Sequence, residues 1–182
     1  MGADLQIVID LIGARAQNLF LTGQLRCTEA VLTVVNQGLR GDLPPGLAIR
    51  LASGLPDGLG GSGCLCGALN GGVLALGLFL GRNRPGYGNG QRVRRSTRVL
   101  HDRFRETFGS TCCRTLTRDC RHDRDLHFKH CAELTAEAAR MAARIILQER
   151  PHLAEKADRA FLQQSDGTGR ARFKKLAGLF RP

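Results

Sequence analysis

The chain contains no tryptophan and a single tyrosine among its 182 residues. A core must therefore be mostly aliphatic, and no aromatic stacking platform for nucleic acid appears. β-Branched residues are sparse beside Leu and Ala, which favours helices over strands. No Cys-x-x-Cys motif occurs, so a thioredoxin-type pair is absent, and no Cys-x-x-Cys-His occurs, which excludes covalent c-type haem. The stretch MGADLQIVIDLIGARAQNLF carries no basic leader and no uninterrupted apolar core, so a cytoplasmic protein is expected. The apolar segment LCGALNGGVLALGLFLG (65–81) has a polar-free run shorter than the roughly 18–20 residues that span a bilayer, and it holds five glycines. It reads as a buried helix, with no transmembrane segment.

Charge is abundant but lopsided. The formal net charge is +11, yet residues 1–80 hold 4 Lys and Arg against 5 Asp and Glu, and residues 81–182 hold 23 against 11. The basic half alternates with acids along helical patterns and contains no recognition module, which argues against nucleic acid and for an acidic protein partner.

Apolar residues at helical spacing mark 4–20, with Gly23 as the stop, then Thr28–Gly38 with Cys27 at its start. LAIRLASGL (47–55) reads as a short helix or turn and PDGLGGSG (56–63) as a flexible glycine loop. A third helix runs from Cys66 to Leu80, and GRNRPGYGNG (81–90) is the clearest break. Val93–Phe108 is an Arg-rich amphipathic helix with Val93, Val99, Leu100, Phe104 and Phe108 inward. The longest helix spans Phe128–Glu149, and a short one follows over 152–164. Gly67, Gly71 and Ala75, like Ala68 and Gly72, are spaced by four, which lets another helix backbone approach closely.

Seven cysteines, an odd number without an export signal, argue against a disulfide framework. Cys66 stands apart because it follows a glycine loop and opens a helix. Unpaired N–H groups and the helix dipole there favour a thiolate, and Gly67 leaves room for a bulky inorganic group. A second cluster, CRHDRDLHFKHC (120–131), gathers Cys120, His122, His127, His130 and Cys131. It offers a zinc site as an alternative to plain surface histidines in a solvated loop. The tail RARFKKLAGLFRP is a basic amphipathic segment, expected to dock on the bundle, with an anionic membrane surface or a second subunit (a homodimer) as its other readings.

The blocks CTEAVL (27–32), CGALNG (66–71), FGSTCCRTL (108–116) and CAELTAEAARMAARI (131–145) together resemble the redox-active family named for its C–GCAxxG–C–C pattern. The resemblance covers about residues 20–150. It places the family cysteines on Cys27, Cys66, Cys113 and Cys131, with Gly67, Ala68 and Gly71 in the central motif. This chain reads Cys-Gly-Ala where the label reads Gly-Cys-Ala, and Cys64 and Cys112 neighbour the assigned positions. The family is similar to part of the split-Soret-type cytochromes, in which such cysteines accompany an iron–sulfur centre.

What this implies is an all-α protein: a compact bundle of about five to seven helices around a glycine-rich helix. Residues 1–150 would form the redox domain and 151–182 a short helix and basic tail. Cys27, Cys66, Cys113 and Cys131 would converge, with Gly67 beside them, on a [2Fe–2S] or [4Fe–4S] cluster, or on zinc as the alternative. The expected role is electron transfer with a redox partner protein, rather than hydrolysis or group transfer. A metal-free thiol–disulfide oxidoreductase or sensor and a zinc-stabilised binding module are the other readings.

Overall fold

A computed structural model of the chain describes residues 2–86 and 90–167. Helix α1 (Ala3–Leu21) buries Val8, Ile9, Ile12, Ala16 and Leu19 along one face. It ends at Thr22, and Gly23 adopts the left-handed φ of 67° that turns the chain away. At the start of α2 (Cys27–Gly38) the Glu29 carboxylate accepts a hydrogen bond from the Arg26 N–H at 2.9 Å, satisfying one of the end groups a helix leaves open. Helix α3 (Pro45–Ala52) and the single turn α4 (Pro56–Leu59) lead to α5 (Gly67–Leu80), with Cys66 in the N-cap position. Then come α6 (Gly90–Phe108), the turn α7 (Cys113–Leu116) and α8 (Arg124–Glu149). A 3-10 turn (Pro151–Leu153) and α9 (Arg159–Leu162) close the described chain.

The class is all-α: among the described residues six helices have eight residues or more, and three are single turns. The only extended pairing among them is an isolated antiparallel bridge between Leu65 and Cys112. None of the described helices is long and apolar enough to cross a membrane.

Helix α5 is central. It packs between α2 and α8 and carries α6 on its outer side, while α1 lies along α8 and α2. Its glycines make the contacts close. A Cβ at Gly71 would stand 2.8 Å from the Thr28 carbonyl oxygen and 2.8 Å from Val31 Cβ, both on α2. At Gly72 it would meet Leu100 Cδ2 of α6 at 2.9 Å and Ala142 Cβ of α8 at 3.6 Å. The two glycines therefore serve different neighbours.

The segment after α8 returns to α1 and α2. The Asp158 N–H donates to the Gly38 carbonyl at 2.9 Å, and the Asp166 carboxylate forms a buried ion pair with Arg15 at 3.1 Å. The Asn18 and Gln24 side chains also hydrogen-bond to Asp166, through its carbonyl and its carboxylate respectively.

Several boundaries differ from the sequence reading. Helix α8 begins at Arg124 rather than Phe128, because the Asp123 carboxylate caps it by accepting from the Asp125 and Leu126 N–H groups. The 56–63 glycine loop is a set of tight turns with positive φ at Asp57, Gly58, Leu59, Gly60, Gly61 and Gly63. Val99 faces solvent, whereas Leu100 and Phe104 are fully buried. The helix expected over 152–164 is broken into the 3-10 turn and α9, where Asp158 caps the second piece. The basic tail, and residues 87–89 of the loop before α6, lie outside the described residues.

Because Gly71 abuts a backbone carbonyl that cannot move independently of α2, Gly71→Leu should overpack the α2–α5 contact. The expected loss is about 1–3 kcal/mol, read from the midpoint of urea unfolding.

Candidate functional site

The four family-pattern cysteines come from four elements. Cys27 is the first residue of α2, Cys66 caps α5, Cys113 begins α7, and Cys131 lies in the second turn of α8. All four, with Gly67, line one cavity of about 890 Å³. Its apolar wall includes Phe20, Phe128 and Leu134; the two phenylalanine rings stack with centroids 4.8 Å apart. Its polar side carries Arg26, Asp57, Arg114, Arg121, Arg124 and His127.

Local backbone chemistry explains the convergence. The Cys66 N–H donates to the Thr111 carbonyl at 2.8 Å, the Cys113 N–H to the Cys64 carbonyl at 2.5 Å, and the Arg114 N–H to the Gly63 carbonyl at 3.0 Å. These bonds clip the turn before α5 to the turn before α7, which sets Cys66 beside Cys113. Gly58, with φ of 71°, sits beneath the clip, where only glycine combines that φ with so little space. Cys27 arrives through the α2–α5 contact. A Cβ at Gly67 would lie 2.5 Å from Cys27 Sγ, 2.8 Å from Thr28 Oγ1 and 3.2 Å from Pro56 Cα. The space a side chain at 67 would take is thus filled by the Cys27 thiol and Thr28 hydroxyl, so the glycine admits this thiol to the start of α5.

Electrostatics correct the sequence reading of Cys66. The backbone N–H groups of Leu69 and Ala68 do favour its thiolate, but burial outweighs them and pushes the thiol up to about 12. Burial likewise drives Cys113 up to about 11, with the Cys27 and Asp57 charges adding to it. Cys27 and Cys131 are also raised, chiefly by burial; the Cys131 thiol further feels Cys27, Cys66 and Cys113. Cys112 moves the other way, because the Thr115 hydroxyl and N–H stabilise its thiolate. Cys64 is exposed, and all seven cysteines are free thiols.

The Cys120–Cys131 cluster does not assemble. His127 and Cys131 line the cavity, but His122 is exposed and His130 Nε2 is buried without a hydrogen-bond partner. The buried Cys120 thiol points to the Thr117 carbonyl at 3.6 Å. Among the described residues, no group of three or more His, Cys, Asp or Glu side chains is gathered so as to hold a metal ion.

Sequence reasoning passed over three participants. Thr28 has a fully buried hydroxyl beside Cys27, with no other hydrogen-bond partner among the described residues, and it favours the Cys27 thiolate; its place after the first cysteine was the available signal. Phe20 and Phe128 stack from helices remote in sequence, and no local pattern pairs them. The basic wall draws on two turns and a helix start.

The family model described as "Putative redox-active protein (C_GCAxxG_C_C)" matches residues 25–145. No curated protein and no solved structure matches the chain.

The buried thiols predict a pH dependence. Folding raises their pKa above the unfolded value of about 8.5, so their contribution to stability is complete below that pH and is lost as pH climbs towards the folded values. The urea midpoint of reduced, metal-free protein should fall between about pH 9 and 11. Cys66→Ser, lacking one such thiol, should show a shallower fall. Since thiolate is the reactive form, iodoacetamide at neutral pH should modify exposed Cys64 well before Cys66.

Proposed function

The chain belongs to the C_GCAxxG_C_C family of redox-active proteins, and on that footing we propose that it transfers electrons through an iron–sulfur cluster held by Cys27, Cys66, Cys113 and Cys131. The observation that carries this reading is the convergence of these cysteines, from four separate elements, on one cavity. Four thiols are the donor set such a cluster takes. Left without a cation these thiols favour the protonated form, because burial disfavours each thiolate; as ligands they would give up those protons to a cation that balances their charge. The buried Thr28 hydroxyl beside Cys27 offers a hydrogen bond to a ligand sulfur, one of the interactions that sets a cluster's potential.

A single ion with bonds of about 2.3 Å needs its thiolates drawn into a tight tetrahedron. Among the described residues no three or more His, Cys, Asp or Glu side chains are drawn that close, which weighs against a single zinc ion. The thiol–disulfide reading is weakened by the same burial, since a Cys66 thiol near 12 is a poor nucleophile at neutral pH.

When bound, the cluster supplies reversible one-electron chemistry. The protein's residues do the rest. The buried Phe20 and Leu134 and the exposed Phe128 stacked on Phe20 form an apolar wall on one side, and the basic side faces the partner. Its acids are already engaged: Asp57 pairs with Arg26 at 3.3 Å, and Glu29 accepts from the Arg26 N–H and the Ser53 hydroxyl. Arg121 and Arg124 are exposed, and neither forms an ion pair with a carboxylate among the described residues. The surface they form suits an acidic redox protein, whose approach they would steer over a distance limited by salt.

Protein purified without oxygen should contain iron and acid-labile sulfide in equal amounts and absorb in the visible. Cys66→Ser should lose both signals, whereas Cys120→Ser should keep them, because the Cys120 side chain is outside the cavity lining. Iron-free wild-type protein after anaerobic reconstitution, or equal loss in both variants, would remove this assignment. Reduction by an acidic electron-carrier protein should slow as salt rises, and Arg121→Glu with Arg124→Glu should slow it at low salt.

A further inference from the structure

The clip between the turns before α5 and α7, which sets Cys66 beside Cys113, also fixes where Cys64 lies. Leu65 and Cys112 are bridged directly, with hydrogen bonds from the Cys66 N–H to the Thr111 carbonyl and from the Cys113 N–H to the Cys64 carbonyl. That pattern sets Cys64 directly opposite Cys113. In a regular hydrogen-bonded antiparallel pair the opposed Cα atoms lie about 5.5 Å apart, within the roughly 4.4–6.8 Å over which disulfides form. Here the bridge is isolated and Cys113 already opens α7, so the hold on the two backbones is the Cys113 N–H bond to the Cys64 carbonyl at 2.5 Å. Gly58 gives a second measure of closeness: a Cβ built there would be 2.6 Å from the Cys64 nitrogen and 2.8 Å from Cys113 Cβ. Cys64 is exposed and Cys113 half-buried, and both are free thiols.

We infer that Cys64 and Cys113 are an oxidation site that closes reversibly to a disulfide at the edge of the cysteine cavity. The oxidant is a hydroperoxide such as hydrogen peroxide. The Cys64 thiolate attacks one peroxide oxygen, an S–O bond forms as the O–O bond breaks, and the hydroxide released leaves as water on taking up a proton. The Cys113 sulfur then attacks the resulting sulfenic sulfur. The S–S bond forms, the S–O bond breaks, and the departing oxygen leaves as a second water with the Cys113 proton. Two thiols lose two electrons and one peroxide becomes two waters. A small thiol reverses the change by exchange.

Other pairings fit less well. Cys112 and Cys113 are sequence neighbours, with Cα atoms about 3.8 Å apart, below the disulfide range. Cys112 also projects to the opposite side of the clip from Cys64. Cys66 is buried. The consequence for the cofactor rests on the proposed function: Cys113 tied to Cys64 cannot serve as a thiolate ligand, so oxidation at the exposed thiol would withdraw one ligand of the four.

The test uses the full chain, reduced and metal-free, treated with one equivalent of hydrogen peroxide, alkylated, digested and mapped without reduction. A peptide pair joined through Cys64 and Cys113 is expected, lighter by two hydrogens and resolved by dithiothreitol. Cys64→Ser should lose it and Cys112→Ser should retain it. Linkage of Cys113 to Cys27 or Cys66 with Cys64 left alkylatable, or Cys64 carried to sulfinic acid unlinked, would overturn the assignment. Iron content is read separately. A chain that links Cys64 to Cys113 but never binds iron keeps the disulfide site and loses the cluster, and an iron-loaded chain that fails to link once stripped does the reverse.

Discussion

Helices α2 and α5 touch through glycine at both ends of one helical turn. At Gly71 the neighbour is the Thr28 carbonyl, and at Gly67 it is the Cys27 thiol itself. The same approach that packs the bundle thereby delivers one sulfur to the start of the central helix. A wider spacing would leave an aliphatic core intact in outline but would move Cys27 away from Cys66. Packing and site are consequently one constraint at these positions, and α8, seated on the far side of α5, brings in Cys131 on the same framework.

The cavity places several thiols where water stabilises their charged form poorly. Each raised pKa expresses a preference for the neutral form, and charging one thiol makes charging the next harder. Such an arrangement is tolerable with protons on the sulfurs or with cationic metal among them, and poor for bare thiolates. On the proposed reading, proton uptake and metal loss would be coupled in this fold.

Much of the fold was legible because aliphatic periodicity survives without any knowledge of neighbours: the faces of α1, α2 and α8 follow directly from it. The order of the four cysteine blocks was legible too. What escaped depended on three-dimensional surroundings. Asp123 looked like part of a charged loop, although it caps α8 and extends it by a turn. Cys66 was correctly set at a helix start, but the sequence does not reveal burial, and burial reverses the expected ease of ionisation. Val99 and Leu100 both lay on the expected inner stripe of α6, and of the two Leu100 alone is buried. The Phe20–Phe128 stack joins residues whose local patterns give no sign of one another.

Arg15 and Asp166 give the family match a physical edge. The matched stretch, 25–145, contains all four cysteines but excludes α1 and the returning segment. Yet α1 covers one side of α8, and its Arg15 meets Asp166 out of water, with Gln24 at the cavity wall held by the same carboxylate. Cutting the chain at the limits of the match would strip that covering helix and leave the apolar side of α8 bare. The family match and the packed core therefore have different borders here: the smallest piece that carries the cysteines lacks the helix that covers α8.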